Sequence, residues 1–188
     1  MKNKKIYRRA FKSFIIIGML AINGCFAYHP DTCEVSCCEL STPNKIISLD
    51  KAKPSAIIDV CACKSWNESG VTVKKGDKFI FQVKNIIEPW QDGVIQANPH
   101  DGWSEDGFLG ALAFWKKRSL FMPWYALVGT VGGSGEQTFK PLDYFSEQEP
   151  FEVDIEQPQE LYFYANDAFR RYFNNQGKLQ LIITKINP

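Results

Sequence analysis

Tyr162-Phe163-Tyr164-Ala165-Asn166-Asp167 leads through a short loop into Asn174-Asn175-Gln176-Gly177, and then into Leu179-Gln180-Leu181-Ile182-Ile183. Leu161, Phe163 and Ala165 alternate with tyrosines before the loop. Leu179, Leu181 and Ile183 alternate with Lys178, Gln180, Ile182 and Thr184 after it. A period of two puts one set of side chains on each face of a strand, so the stretch predicts two strands joined by an oxygen-rich loop. Asp167, Asn174 and Asn175 all offer oxygen, the donor that a hard cation such as calcium selects. Asn and Gly are also ordinary turn residues, and on local pattern alone a polar hairpin is the simpler reading.

The spacing is more specific than the pattern. Asn-Asp is followed, with seven residues between Asp167 and Asn175, by the Asn-Asn pair, Gly177 and an alternating strand. This resembles the calcium-dependent galactophilic lectins of bacteria, the PA-IL type. Trp66-Asn67-Glu68-Ser69-Gly70-Val71 with Lys75-Gly76-Asp77 is similar to that family's opening strand and turn. Pro89-Trp90-Gln91-Asp92-Gly93 is similar to its tryptophan loop, and Tyr125-Ala126-Leu127-Val128-Gly129-Thr130-Val131-Gly132 to its central strand.

The resemblance implies an all-β fold, a β-sandwich of the galactose-binding kind with one calcium at an end of the sheets. Carried over by position, it implies side-chain oxygens from Asp167, Asn174 and Asn175, and main-chain carbonyls from Arg171 and Asp92. Two sugar hydroxyls complete the metal's shell in that family, and Asp167 and Asn174 would hydrogen-bond the same hydroxyls. Neutral amide and carbonyl ligands leave calcium under-neutralised and partly open, which suits capture of a vicinal diol. The family's sugar-contacting His-Pro-Asp-Gln segment has no clear copy here. Asn98-Pro99-His100-Asp101-Gly102-Trp103 stands near its place, which makes His100 and Trp103 the candidate ligand contacts. The bland alternatives are a loop histidine without a role and an aromatic that packs. More residues thus speak for calcium than for a galactoside.

The chain opens with Lys2, Lys4, Lys5, Arg8, Arg9 and Lys12 ahead of a short apolar run, Phe14 to Ile22, the layout of a secretory signal. Ile22-Asn23-Gly24-Cys25 resembles a bacterial lipobox, in which Cys25 becomes the acylated first residue; cleavage after Ala27 is the alternative. The expected organisation is a signal peptide over 1–24, a cysteine-containing tether over 25–56 and a sandwich over 57–188. The product would be an exported, membrane-anchored lipoprotein, held at the outer membrane or cell surface by its acyl chains.

Removing the signal changes the charge. The chain has 22 basic and 21 acidic residues, and six basics but no acids precede Cys25, leaving 16 against 21, or −5. That excludes the basic footprint expected of a nucleic-acid partner. The tether holds Cys33, Cys37 and Cys38; the first expected strand is Ile57 to Ala62, with Cys61 on it and Cys63 read as continuing the same face just past its end. Export makes disulfides the default, with the strand cysteines projecting together toward the arm. A zinc cluster is the rival, weakened by irregular spacing and the lack of a neighbouring histidine.

Further strands are expected at Val71–Val73, Lys78–Lys84, Tyr125–Val131 and Phe151–Ile155, with hairpin turns at Lys74–Asp77 and Gly132–Gly135. One short helix is allowed over Phe108–Trp115, capped by Lys116-Lys117-Arg118 where the helix dipole favours cations. Trp90 is expected to anchor its loop. No pair of carboxylates is spaced for glycan hydrolysis, and only His29 and His100 are available to a nucleophile, so no enzyme is expected. The expected function is calcium-dependent carbohydrate binding. The alternative is a structural or adhesion lipoprotein with a protein partner, engaged through the sandwich or the N-terminal arm.

Overall fold

The structure is a computed structural model, described here for residues 46–103, 114–143 and 147–186. The strands in chain order are β1 (Ser55–Cys61), β2 (Asn67–Val73), β3 (Lys78–Asp92), β4 (Ile95–Gln96), β5 (Leu127–Val131), β6 (Gln137–Phe139), β7 (Phe151–Glu152), β8 (Gln159–Ala165) and β9 (Asn175–Lys185). One sheet runs β1-β9-β3-β4, with β7 also on β3, and the other runs β2-β8-β5-β6. All pairings between these strands are antiparallel, so the chain is an all-β sandwich.

Register follows from the alternation. Ala56 faces Ile183 and Ile58 faces Leu181 across β1 and β9, while Phe81 and Val83 meet the same two residues from β3. A slip of one residue would turn every one of these side chains to solvent, which is why the pairing is specified. The second sheet contributes Leu127, Val131, Leu161, Phe163 and Ala165 to the shared core. Phe81, Phe139, Phe151 and Phe163 join the two layers, with Phe139 stacked on Phe151 at 3.8 Å and Phe81 edge-on to Phe163 at 5.9 Å. Gly129 lies opposite Phe139, and a Cβ there would come within 2.4 Å of the ring, so the missing side chain makes room for the aromatic.

Several sequence expectations change, among them the Phe151–Ile155 strand, which pairs only over Phe151–Glu152. The Lys78 strand does not stop at Lys84 but continues for 15 residues to Asp92, so the tryptophan loop is the end of a strand. Register shifts at Val83/Asn85, Ile86/Glu88 and Glu88/Gln91 absorb the irregular stretch and allow Pro89 within the strand. Cys63 does not share a strand face with Cys61, because β1 ends at Cys61; both residues are buried. Finally, the last residues of the expected tether are packed: Ile47 bridges Val71 and Leu49 enters the core.

The Gly132–Gly135 turn closes the β5–β6 hairpin as expected. Of the segment read as a short helix, Phe114–Lys116 forms a 3-10 turn, and 108–113 lies outside the described residues. The signal segment, Cys25, Cys33, Cys37 and Cys38 also lie outside them.

β3 crowds β9 at Gly177, which has φ +114° and where an ideal Cβ would lie only 2.4 Å from the Pro89 carbonyl oxygen. Gly76 also has a positive φ, +83°, but open space around it. Gly177→Ala is therefore expected to destabilise by about 3 kcal/mol, through strain plus collision. Gly76→Ala should lose only about 1 kcal/mol, through strain alone. Urea unfolding of the two variants checks the difference, and equal losses would show that inter-strand space is not limiting.

Candidate functional site

β3 and β8 end, and β5 and β9 begin, at one end of the sandwich. Asp92 closes β3 and pairs with Asn175, the first residue of β9. The Gly93 amide donates to the Asn174 carbonyl at 3.0 Å and completes this corner. Asp167 follows β8 by two residues and Tyr125 precedes β5 by two, so the second sheet supplies the facing groups.

Tyr125 ties the halves together. It adopts a left-handed φ of 58°, unusual for a residue with a side chain. Its amide donates to the Asn166 carbonyl at 2.8 Å, and its carbonyl accepts the Trp90 indole N–H at 2.7 Å. Its hydroxyl donates to one Asp92 carboxylate oxygen, while the Asn174 side-chain amide donates to the other. Trp90 is buried and anchors its segment as expected.

Asn166 fixes the neighbouring loop. Its fully buried side chain accepts from the Ser119 amide at 2.9 Å and donates to the carbonyls of Ser119, Met122 and Pro123 at 2.9–3.0 Å. The Arg118 amide donates to the Asp167 carbonyl at 3.0 Å. The Arg118 guanidinium lies between the rings of Trp66 and Tyr164, 3.5 and 3.7 Å from their centroids. This stacking holds the 118 segment against the outer face of the second sheet.

Asp167 is buried, and only its Oδ1 is satisfied, accepting from the Ala168 amide at 2.5 Å. Its Oδ2 is buried without a hydrogen bond, and so is Oδ1 of Asn175, whose Nδ2 donates to the Ala62 carbonyl at 3.3 Å. Burial pushes the Asp167 carboxyl up to about 7. The Ala168 amide opposes that shift, the Asp92 charge adds to it, and the Asn175 amide and the Arg171 guanidinium pull the other way. Burial, together with the charges of Asp167 and Asp92, drives the Tyr125 hydroxyl upward and keeps it a hydrogen-bond donor.

The structure thus brings Asp92, Asp167, Asn174 and Asn175 to one corner, with Arg171 beside them. Two placements differ from expectation. Asp92 turns its carboxylate, not merely its carbonyl, into the cluster, and Asn174 presents its nitrogen to that carboxylate. The His100 ring is held by carboxylates, with Nδ1 at 2.6 Å from Asp101 and Nε2 at 3.3 Å from Asp143. Trp103 is half-buried against the core, its ring 6.5 Å from that of Tyr125. Tyr125 and the structural role of Asn166 escaped the sequence reading. Asn-Asp at a strand end was a signal for the latter, whereas nothing local marks Tyr125.

Among the described residues no three His, Cys, Asp or Glu side chains converge as a metal cluster. The oxygen set at this corner is therefore two carboxylates supplemented by amides. Two buried acceptors without donors are costly in the absence of a positive partner. A hard cation fits that donor set, since oxygen ligands of mixed charge in an irregular arrangement are what calcium accepts.

No family model matches the chain, and no curated protein matches it. Among solved structures it is similar to an "EclA N-terminal domain; PllA-like lectin", at 13% identity and a TM-score of 0.45, over 69% of this chain and 94% of that one.

Proposed function

We propose that this end of the sandwich binds a calcium ion and, with it, a carbohydrate of the galactose type, without transforming it. The observation that carries the reading is the pair of buried, unpartnered oxygens on Asp167 and Asn175 beside the Asp92 carboxylate. When bound, the ion would supply open coordination positions for sugar hydroxyls. Asp167 and Asn175 would hold it, Asp92 would add charge, and the Arg171 carbonyl and the Asn174 amide would complete the corner. Tyr125 would orient the Asp92 carboxylate, as partners outside a metal's own ligands commonly do. The lectin resemblance of the sequence supports the sugar, and the signal and lipobox support export with Cys25 as the lipid attachment point.

A second reading keeps the ion but replaces the sugar with a protein partner. It is favoured by His100 and Trp103, whose side chains are engaged by Asp101, Asp143 and Tyr125. Free galactoside competes for binding in the first reading and not in the second.

Calorimetric titration of calcium into chelator-treated protein should show one site, with Asp167→Ala and Asn175→Ala each weakening it by about a hundredfold or more and Tyr125→Phe by about tenfold. Unchanged affinity in Asp167→Ala would remove the site. Methyl galactoside should then give heat only with the calcium-loaded protein.

pH should act through Asp167. Its pKa of about 7 means that protons compete with the ion, so calcium affinity should fall about tenfold per unit below that value. In chelator the sign reverses for stability. The folded state binds the extra proton between about pH 4, the unfolded carboxyl's range, and about 7, so stability declines as pH rises through that window. Asp167→Asn should abolish the decline and raise the melting temperature at pH 8 by about 5 °C or more. Thermal scans of parent and variant across this range test it.

A further inference from the structure

Two segments beside the candidate site carry apolar side chains that face solvent. Phe121 is 98% exposed, Trp115 61%, Phe169 61% and Leu120 47%. They are not scattered. A backbone bridge between Lys117 and Ala168 lays the 115–118 strip alongside 167–170. The Asn166 side chain holds the turn bearing Leu120 and Phe121 by its Ser119 and Met122 carbonyls. The cluster is therefore presented by fixed backbone, not by a loose loop tip. Isolated exposed apolar residues need no explanation, but several large ones on adjoining segments do.

Cations interleave with them. Lys116 lies over Trp115 at 5.0 Å, Arg170 over Phe169 at 5.7 Å and Arg171 over Phe173 at 5.6 Å. Residues 114–124 and 168–174 hold Lys116, Lys117, Arg118, Arg170 and Arg171 and no Asp or Glu, with Asp167 adjoining the second run. Arg118 is stacked between Trp66 and Tyr164, so Lys116, Arg170 and Arg171 are the cations beside the exposed rings. The chain beyond Cys25 is net acidic, so this is a local reversal of sign. Aromatic and aliphatic tips among lysines and arginines match a boundary between acyl chains and anionic headgroups. Trp and Phe sit at that depth, and each cation gains from the surface potential. A soluble acidic polymer would account for the cations but not for a phenylalanine almost wholly in water.

We propose that the Trp115–Phe121 and Phe169–Arg171 surface docks on an anionic lipid membrane, with Phe121, Trp115 and Phe169 entering the interface. The proposal is independent of calcium and of sugar.

Residues 1–45 contain no tryptophan, so quenching reports only tryptophans of the sandwich, and recruitment by the basic leader is separated from it because every surface variant keeps that leader. Tryptophan fluorescence is followed with vesicles whose acyl chains carry bromine, made of phosphatidylcholine alone or mixed with phosphatidylglycerol, in chelator throughout. Quenching is expected on the anionic vesicles, with its loss in Trp115→Phe and a drop to the phosphatidylcholine level in Phe121→Ser/Phe169→Ser and in Lys116→Gln/Arg170→Gln. Circular dichroism checks that these surface variants are folded. Equal quenching on both vesicles, or quenching that survives Trp115→Phe, overturns the proposal. So does absence of quenching together with heparin binding that the Lys116→Gln/Arg170→Gln variant loses, which would assign the surface to an anionic polymer.

Discussion

The hydrogen bond from the Trp90 indole to the Tyr125 carbonyl links the first sheet to the second at the end that carries the candidate site. Asp92 and Asn175 belong to β3 and β9, whereas Asp167 and Tyr125 belong to the ends of β8 and β5. Without a fixed distance between the layers there, the two pairs would have no defined relation. The bond is buried, and its indole donor has no use other than this carbonyl. Breaking it would strand a polar group inside the core, at a cost well above the net worth of an average hydrogen bond. The left-handed backbone of Tyr125 follows from the same arrangement, because that residue must face Asn166, Trp90 and Asp92 at once.

The corner gathers negative charge and buried oxygen acceptors. Two carboxylates stand near enough for Asp92 to raise the proton affinity of Asp167, and burial raises it further. A site evolved only for stability would place an apolar side chain where Asp167 lies, since an incompletely paired buried acid detracts from folding. Two other acids are matched by lysines, Asp59 by Lys178 at 2.8 Å and Asp77 by Lys185 at 2.9 Å. The contrast sets Asp167 apart as a buried acid with one oxygen left without a hydrogen bond.

How much was legible follows from what each residue's neighbours are. β8 and β9 were readable because their alternation is local and each inward side chain announces itself within a few positions. The Asp167–Asn175 loop was readable through spacing, again a local property. The continuation of β3 was not, because Ile86-Ile87-Glu88-Pro89 breaks the period of two and only the partner strand reveals that bulges restore the pairing. The inward turn of the Asp92 carboxylate could not be seen either, since its donors, Tyr125 and Asn174, lie 33 and 82 residues away. His100 was drawn toward the site by its place in the chain, yet the carboxylate of Asp143, brought close only by the fold, holds its ring.

The distribution of the corner over four chain segments has a kinetic meaning. Residues near 92, 125, 167 and 175 meet only after β3 has paired with β9 and β8 with β5, and such long-range pairings form slowly because each must first close a large loop. No fragment lacking any one of these four segments would own the cluster. During synthesis it could not appear before β9 had emerged and docked between β1 and β3.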